Sequence, residues 1–410
     1  MIALFFVLAG GTESFESGTQ PDSETDRRET QILSAPDAAP GDIYGGAVGL
    51  SGEFAIVAAE WDDDDGKDSG AVWVFERRED RWHRTQKLRA PDAAEGDNFG
   101  RSIAMDGGSA VIGTHWDDTK AGKNAGSAYV ASYDGEQWAL KQKLVADDGA
   151  TWDAMGNAVS IHGDWIAVAA WRADGVGPDS GAVYMFRREK ERWAQVQKLT
   201  SSDSVAGDQF GRGVWISGDA LLVGAWQNDA HGEDSGAGYV FRLKAGRWQE
   251  EQKLVAKDAR AGDRLGFSVA LDAGVALLGA HTSNAGESES GAAYVFRFDG
   301  ERWEQEQKLF ASSPHAGGRL GWAVALQNDL AVLSEHYVFN RKDPQPGAAY
   351  VFRRNSETWK QTRKLYPSDG HLGDVFGFHI ALDRERAVIG SWRHKHAGKN
   401  SGQAYVFEDL

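Results

Sequence analysis

A recurring tripeptide sets the terms for this chain. Gln-Lys-Leu stands at Gln86, Gln142, Gln197, Gln252 and Gln307, Arg-Lys-Leu at Arg363, and Gln31-Ile32-Leu33 fits one period earlier. The intervals are 55 or 56 residues throughout. Spacing this even marks one unit repeated seven times, so the 410 residues need not divide into the two or three domains that length alone suggests.

Each period holds four short β-type runs. In the second they are residues 99–104, 110–113, 127–130 and 138–144. All are rich in β-branched or aromatic residues and bounded by Gly, Asp or Asn, the signature of strands. No segment keeps a helical period over a dozen residues. The pattern predicts an all-β fold, a seven-bladed β-propeller with four antiparallel strands per blade. The last repeat stops at Leu410 after its third strand, while an orphan fourth strand lies around Glu29 to Leu33. Pairing that N-terminal strand into the last blade closes the ring and removes its open edges. The propeller is assigned to residues 27–410.

Composition narrows the partners. A net charge of −17 argues against nucleic acid and anionic membrane surfaces. With no cysteine, disulfides and thiolate metal sites are excluded. Residues 2–10 (IALFFVLAG) are apolar but too short to span a bilayer, so residues 1–11 read as signal-like and 12–26 as an acidic linker. A secreted or cell-surface protein, monomeric and not inserted in a membrane, is expected. Gly11 stands where a lipoprotein signal needs its Cys, which speaks against a lipid anchor.

The invariant columns read as structure. Trp82, Trp138, Trp193, Trp248, Trp303 and Trp359 each precede the tripeptide by four residues, placing them on one strand face against the next blade. Arg27 takes that place in the N-terminal strand. Asp42, Asp97, Asp153, Asp208, Asp263 and Asp374 precede each first strand, and Gly318 breaks the series. A turn role, accepting backbone N–H bonds, is expected of them.

Phe99-Gly100 with Gly113-Thr114, and better Phe210-Gly211 with Gly224-Ala225 and Leu265-Gly266 with Gly279-Ala280, resemble the FG-GAP repeat of integrin α-subunit propellers and their bacterial relatives. The resemblance covers nearly all of residues 29–410. It implies a seven-bladed propeller that serves as an extracellular recognition module, although one fold hosts many functions. The calcium loops common in integrin-type repeats look absent, because the connector concerned is as short as Asp106-Gly107-Gly108.

The irregular columns carry the functional expectation. In each blade the connectors from strand two to three, and from strand four to the next blade, are long and should share one face. The columns there vary among aromatic, His and Arg residues, and the ligand-binding candidates are Arg101, His115, Trp116, Trp171, Arg212, Trp226, His281, Trp322, His336, Tyr337 and Trp392. Aromatic faces beside hydrogen-bonding groups suit a glycan or a protein ligand. No cofactor is expected; calcium at Asp63 and Asp65, in the acidic run after Trp61, is the lesser reading. The sixth blade, with Pro344 and Pro346 in its long loop, departs furthest from the repeat. A non-catalytic binding propeller is the preferred function. The alternatives are a polysaccharide lyase using His115, His281, His336 or Tyr337 with Arg101, Arg212 or Arg393, and a surface scaffold.

Overall fold

The computed structural model describes residues 26–336 and 346–410. All regular structure among them is β-strand, arranged as seven four-stranded blades around a central channel, one blade extended by a fifth strand. The fourth blade shows the pattern: Phe210–Ser217, Ala220–Ala225, Ala237–Lys244 and Arg247–Leu254 pair antiparallel in chain order. Its second strand, ALLVGA, is buried on both faces and is accordingly apolar throughout. Its outer strand buries Trp248 and Leu254 at the ends and exposes polar residues between them.

The ring closes as the sequence implies. Gln31–Leu33 pairs antiparallel with Gln403–Phe407 and completes the seventh blade. One addition was not foreseen: Asp26–Arg27 runs parallel beside Thr358–Leu365, so the N-terminal segment also joins the sixth blade. Another difference concerns the second blade, whose inner strand is Ser102–Asp106 and does not start at residue 99. Gly100 has φ +105°, and both Gly100 and Arg101 direct their N–H groups at the Gly113 carbonyl. This local bulge delays the ladder.

Seven apolar clusters fill the seams between blades rather than the blades themselves. Trp138 packs with Ile56 and Val74 of the blade before it, not the one after. The tripeptide glutamine has its own task. Gln86 Nε2 donates to the Trp138 carbonyl at 2.7 Å, and the Trp138 N–H donates to Gln86 Oε1 at 3.0 Å. The same two-bond brace links Gln31 to Trp82 at the closing seam, and it recurs from Gln142 to Trp193 and from Gln197 to Trp248. Arg363 has replaced the glutamine where the sixth blade meets the seventh, and there it and Arg27 bond the Asp409 carbonyl instead.

Candidate functional site

The two long connectors of each blade share a face and pack against one another. Between the first and second blades, the Asn98 N–H donates to the Asp68 carbonyl at 3.1 Å and the Phe99 N–H to that of Ser69 at 2.9 Å. The residue after each Phe-Gly-type pair therefore enters the channel at the long-connector end. The channel has a volume of about 420 Å³, and Gly46, Arg101, Asn157, Arg212, Phe267, Trp322 and Phe378 line that end. Aliphatic residues such as Val214, Val269 and Val324 wall its middle.

The rim divides into unlike halves. Phe267, Trp322 and Phe378 form an aromatic arc, with ring centroids 4.5 and 5.7 Å apart. Two arginines complete the rim. Arg101 Nη1 lies 3.7 Å from Glu60 Oε2, and Arg101 Nη2 donates to Asn157 Oδ1 at 3.5 Å. Arg212 joins the halves, its guanidinium 4.0 Å from the centre of the Phe267 ring. No ion pair or hydrogen bond ties Arg212 to another described residue. Burial, with the Arg101 charge nearby, pushes Arg212 down to about 9, so it stays protonated at neutral pH. His379 lines the same channel, and its Nδ1 accepts the Val48 N–H at 3.4 Å. Burial and the two guanidiniums hold His379 down to about 4, leaving it neutral.

Of the residues singled out from sequence, Arg101, Arg212 and Trp322 face the channel. His115, His281 and His336 are buried behind the rim. His281 packs 4.2 Å from the Phe267 ring, His336 3.9 Å from Trp322, and His115 4.7 Å from Trp116. Their burial pushes His281 down to about 2, His336 to about 3 and His115 well below the ordinary range. Trp226 and Trp392 extend the aromatic packing, 5.5 Å from Phe267 and 5.8 Å from Phe378, and are covered by Arg264 and Arg393. Trp171 is half-buried and Trp116 is exposed. Tyr337, Pro344 and most of the long loop of the sixth blade lie outside the described residues.

Several conspicuous carboxylates have structural partners. The turn aspartates accept a backbone N–H three residues back, as from Ala94 to Asp97 at 2.8 Å. At the far end of the channel Asp106, Asp272 and Asp383 accept the N–H groups of Gly163, Asn328 and Gly52, each on a neighbouring blade. The acidic run after Trp61 folds around a lysine: Lys87 Nζ lies 2.8 Å from Asp37, 2.7 Å from Asp62 and 2.7 Å from Asp64. Asp63 accepts the Asp68 N–H and Asp65 pairs with Arg89, so calcium at those two would have to compete with both partners. Sequence reasoning missed His379 and a group in the seventh blade, His371, Asp374 and His394, that could hold a metal ion. The available signal was Ile32 in the lysine column.

The family model described as FG-GAP repeat matches residues 28–75, 82–131, 138–186, 193–241, 248–296, 303–352 and 359–407. A search of curated proteins finds no match. Among solved structures, a protein described as a 6-phosphogluconolactonase from Bacteroides fragilis is similar, with a TM-score of 0.50 over 80% of this chain and 85% of that one. At 9% identity the likeness is one of fold.

Proposed function

This chain belongs to the FG-GAP repeat family, and we propose that it is a non-catalytic recognition propeller that binds a glycan or protein segment at the long-connector end of its channel. The ligand presents a carboxylate beside an apolar face. The observation that carries this reading is Arg212, a charged group lining a cavity with no acidic partner, set against an aromatic arc. A half-buried guanidinium without a protein acceptor is open to a ligand carboxylate, which would supply the missing bonds in bidentate form. Phe267 and Trp322 would take the apolar face. A pure scaffold would have no use for this feature. Nor do the histidines favour a lyase, since His115, His281 and His336 are shielded and too weakly basic to serve as a general base near neutral pH. An extracytoplasmic setting is part of the proposal and draws on the apolar residues 2–10 and the acidic composition.

The test is an array of glycans and peptides with and without carboxylates, followed by calorimetry on the hits. Carboxylate-bearing members should bind, and Arg212→Ala should weaken them by about tenfold or more. Equal binding of neutral counterparts, with Arg212→Ala unchanged, would refute the reading.

A further inference from the structure

A second constellation recurs from blade to blade, and the seventh blade breaks it in an informative way. In the first five blades the tripeptide lysine sits against an aspartate of the entering connector: Lys87 on Asp37, Lys143 on Asp92, Lys198 on Asp148, Lys253 on Asp203 and Lys308 on Asp258, all at 2.6–2.8 Å. Lys87, Lys143 and Lys253 also reach the loop after the second strand, at Asp62, Asp117 and Asn228. The ammonium thus ties the two long connectors of its blade together.

In the seventh blade the aspartate is kept and the lysine is lost. Asp369 still accepts the Tyr405 hydroxyl at 2.8 Å, as Asp203 accepts that of Tyr239. The lysine column holds Ile32, because this blade borrows its outer strand from the N-terminus. In the column of Asp62 and Asp117 stands His394. Its Nε2 lies 3.6 Å from Asp369 Oδ2 and 3.7 Å from Asp374 Oδ2, while His371 Nδ1 lies 3.8 Å from the same Asp374 oxygen.

We propose that these residues bind a divalent transition-metal ion of the zinc class, which does for the seventh blade what lysine does elsewhere. Ligand atoms held about 2.0–2.1 Å from a tetrahedral ion stand roughly 3.3–3.5 Å apart. The observed spacings of 3.6–3.8 Å need only a slight contraction. Imidazole nitrogens with carboxylates select zinc-like ions over calcium or magnesium, which take oxygen ligands. A second observation points the same way: Asp374 is fully buried, yet its Oδ1 has no hydrogen-bond partner. Its Oδ2 accepts the His371 N–H at 2.6 Å, as in the other turns, which leaves Oδ1 the open position for an ion. His371 is largely solvent-exposed, which leaves the ion a way in.

The full chain, stripped with a chelator, is titrated with zinc by calorimetry and with cobalt(II) by visible absorption. One ion per chain and the bands of a tetrahedral cobalt centre are expected. His394→Ala should weaken binding at least about tenfold. Ile32→Lys restores the ammonium of the other blades and should abolish binding while keeping the β-sheet circular dichroism. His231→Ala, at an exposed histidine outside the site, should bind normally. Failure of the stripped protein to take up zinc overturns the proposal, and so does stoichiometric binding that survives Ile32→Lys. The second variant decides the matter even if His394→Ala fails to fold.

Discussion

The first and seventh blades solve one problem with different materials. Both bring polar groups from two long connectors close together, carboxylates from each in the first blade, and Asp369 and Asp374 from one with His394 from the other in the seventh. In the first, Lys87 fills the gap, and although burial opposes its charge, hydrogen bonds to Asp37, Asp62 and Asp64 raise its pKa. In the seventh, the three-residue strand Gln31–Leu33 replaces an eight-residue strand such as Arg81–Leu88 and brings Ile32 to the lysine position. Two histidines then stand beside Asp369 and Asp374. A strand imported to close a ring carries the pattern needed for pairing, but its own side chains decide which connector contacts survive. The neighbouring loops have taken over the lost contact.

Substitutions can probe this contrast directly. The largest effect is expected for Lys87→Met, which leaves Asp62 buried without its cation and should cost about 3–5 kcal/mol in urea unfolding. Its mirror, Ile32→Lys in metal-free protein, should instead stabilise by about 1 kcal/mol through a new charged hydrogen bond to Asp369. Destabilisation by Ile32→Lys would show that the two pockets are not equivalent.

The turn aspartates allow a comparison through pH. Burial pushes Asp97 up to about 6 from 3.8, despite the bond from the Ala94 N–H. A carboxyl raised on folding adds stability that is complete below its unfolded pKa and is lost as pH climbs through the folded one. Asp97→Asn keeps an acceptor without the charge. It should therefore flatten the decline between about pH 4 and 6 and leave the variant about 1–3 kcal/mol more stable at pH 7. Unfolding midpoints across that range would check it, and an undiminished slope would assign the decline to other groups.

A modest loss is expected at the closing brace. Gln31→Ala removes both bonds to the Trp82 backbone and should cost about 1–2 kcal/mol, similar to Gln86→Ala at an ordinary seam. A much larger loss for Gln31→Ala would mean that the closing seam depends on this brace more than the others do.

The architecture was legible because repetition averages out local noise: seven copies reveal columns that one copy would not. Blade number, the closing strand, the structural tryptophans and the turn aspartates all follow from columns. Depth was harder to read. Strand alternation tells which side of a sheet a residue takes, not how far it stands from the ring axis, so on sequence His281 and His336 are indistinguishable from Trp322. The lysine pockets were hidden for another reason. They join residues some 50 positions apart, as Lys87 and Asp37, through contacts that no local pattern encodes. Yet the substitution that exposes the seventh pocket, Ile32 for lysine, was visible from the start.

The cross-blade bonds at the far end of the channel have a consequence for whatever enters it. Asp106, Asp272 and Asp383 are placed there to fasten neighbouring blades, yet their charges also face the bore, opposite the guanidiniums of Arg101 and Arg212. The tube therefore has an electrical direction along its axis. That polarity favours an anion at the arginine end and opposes it at the other, so to a negatively charged guest the channel is a cup with a floor.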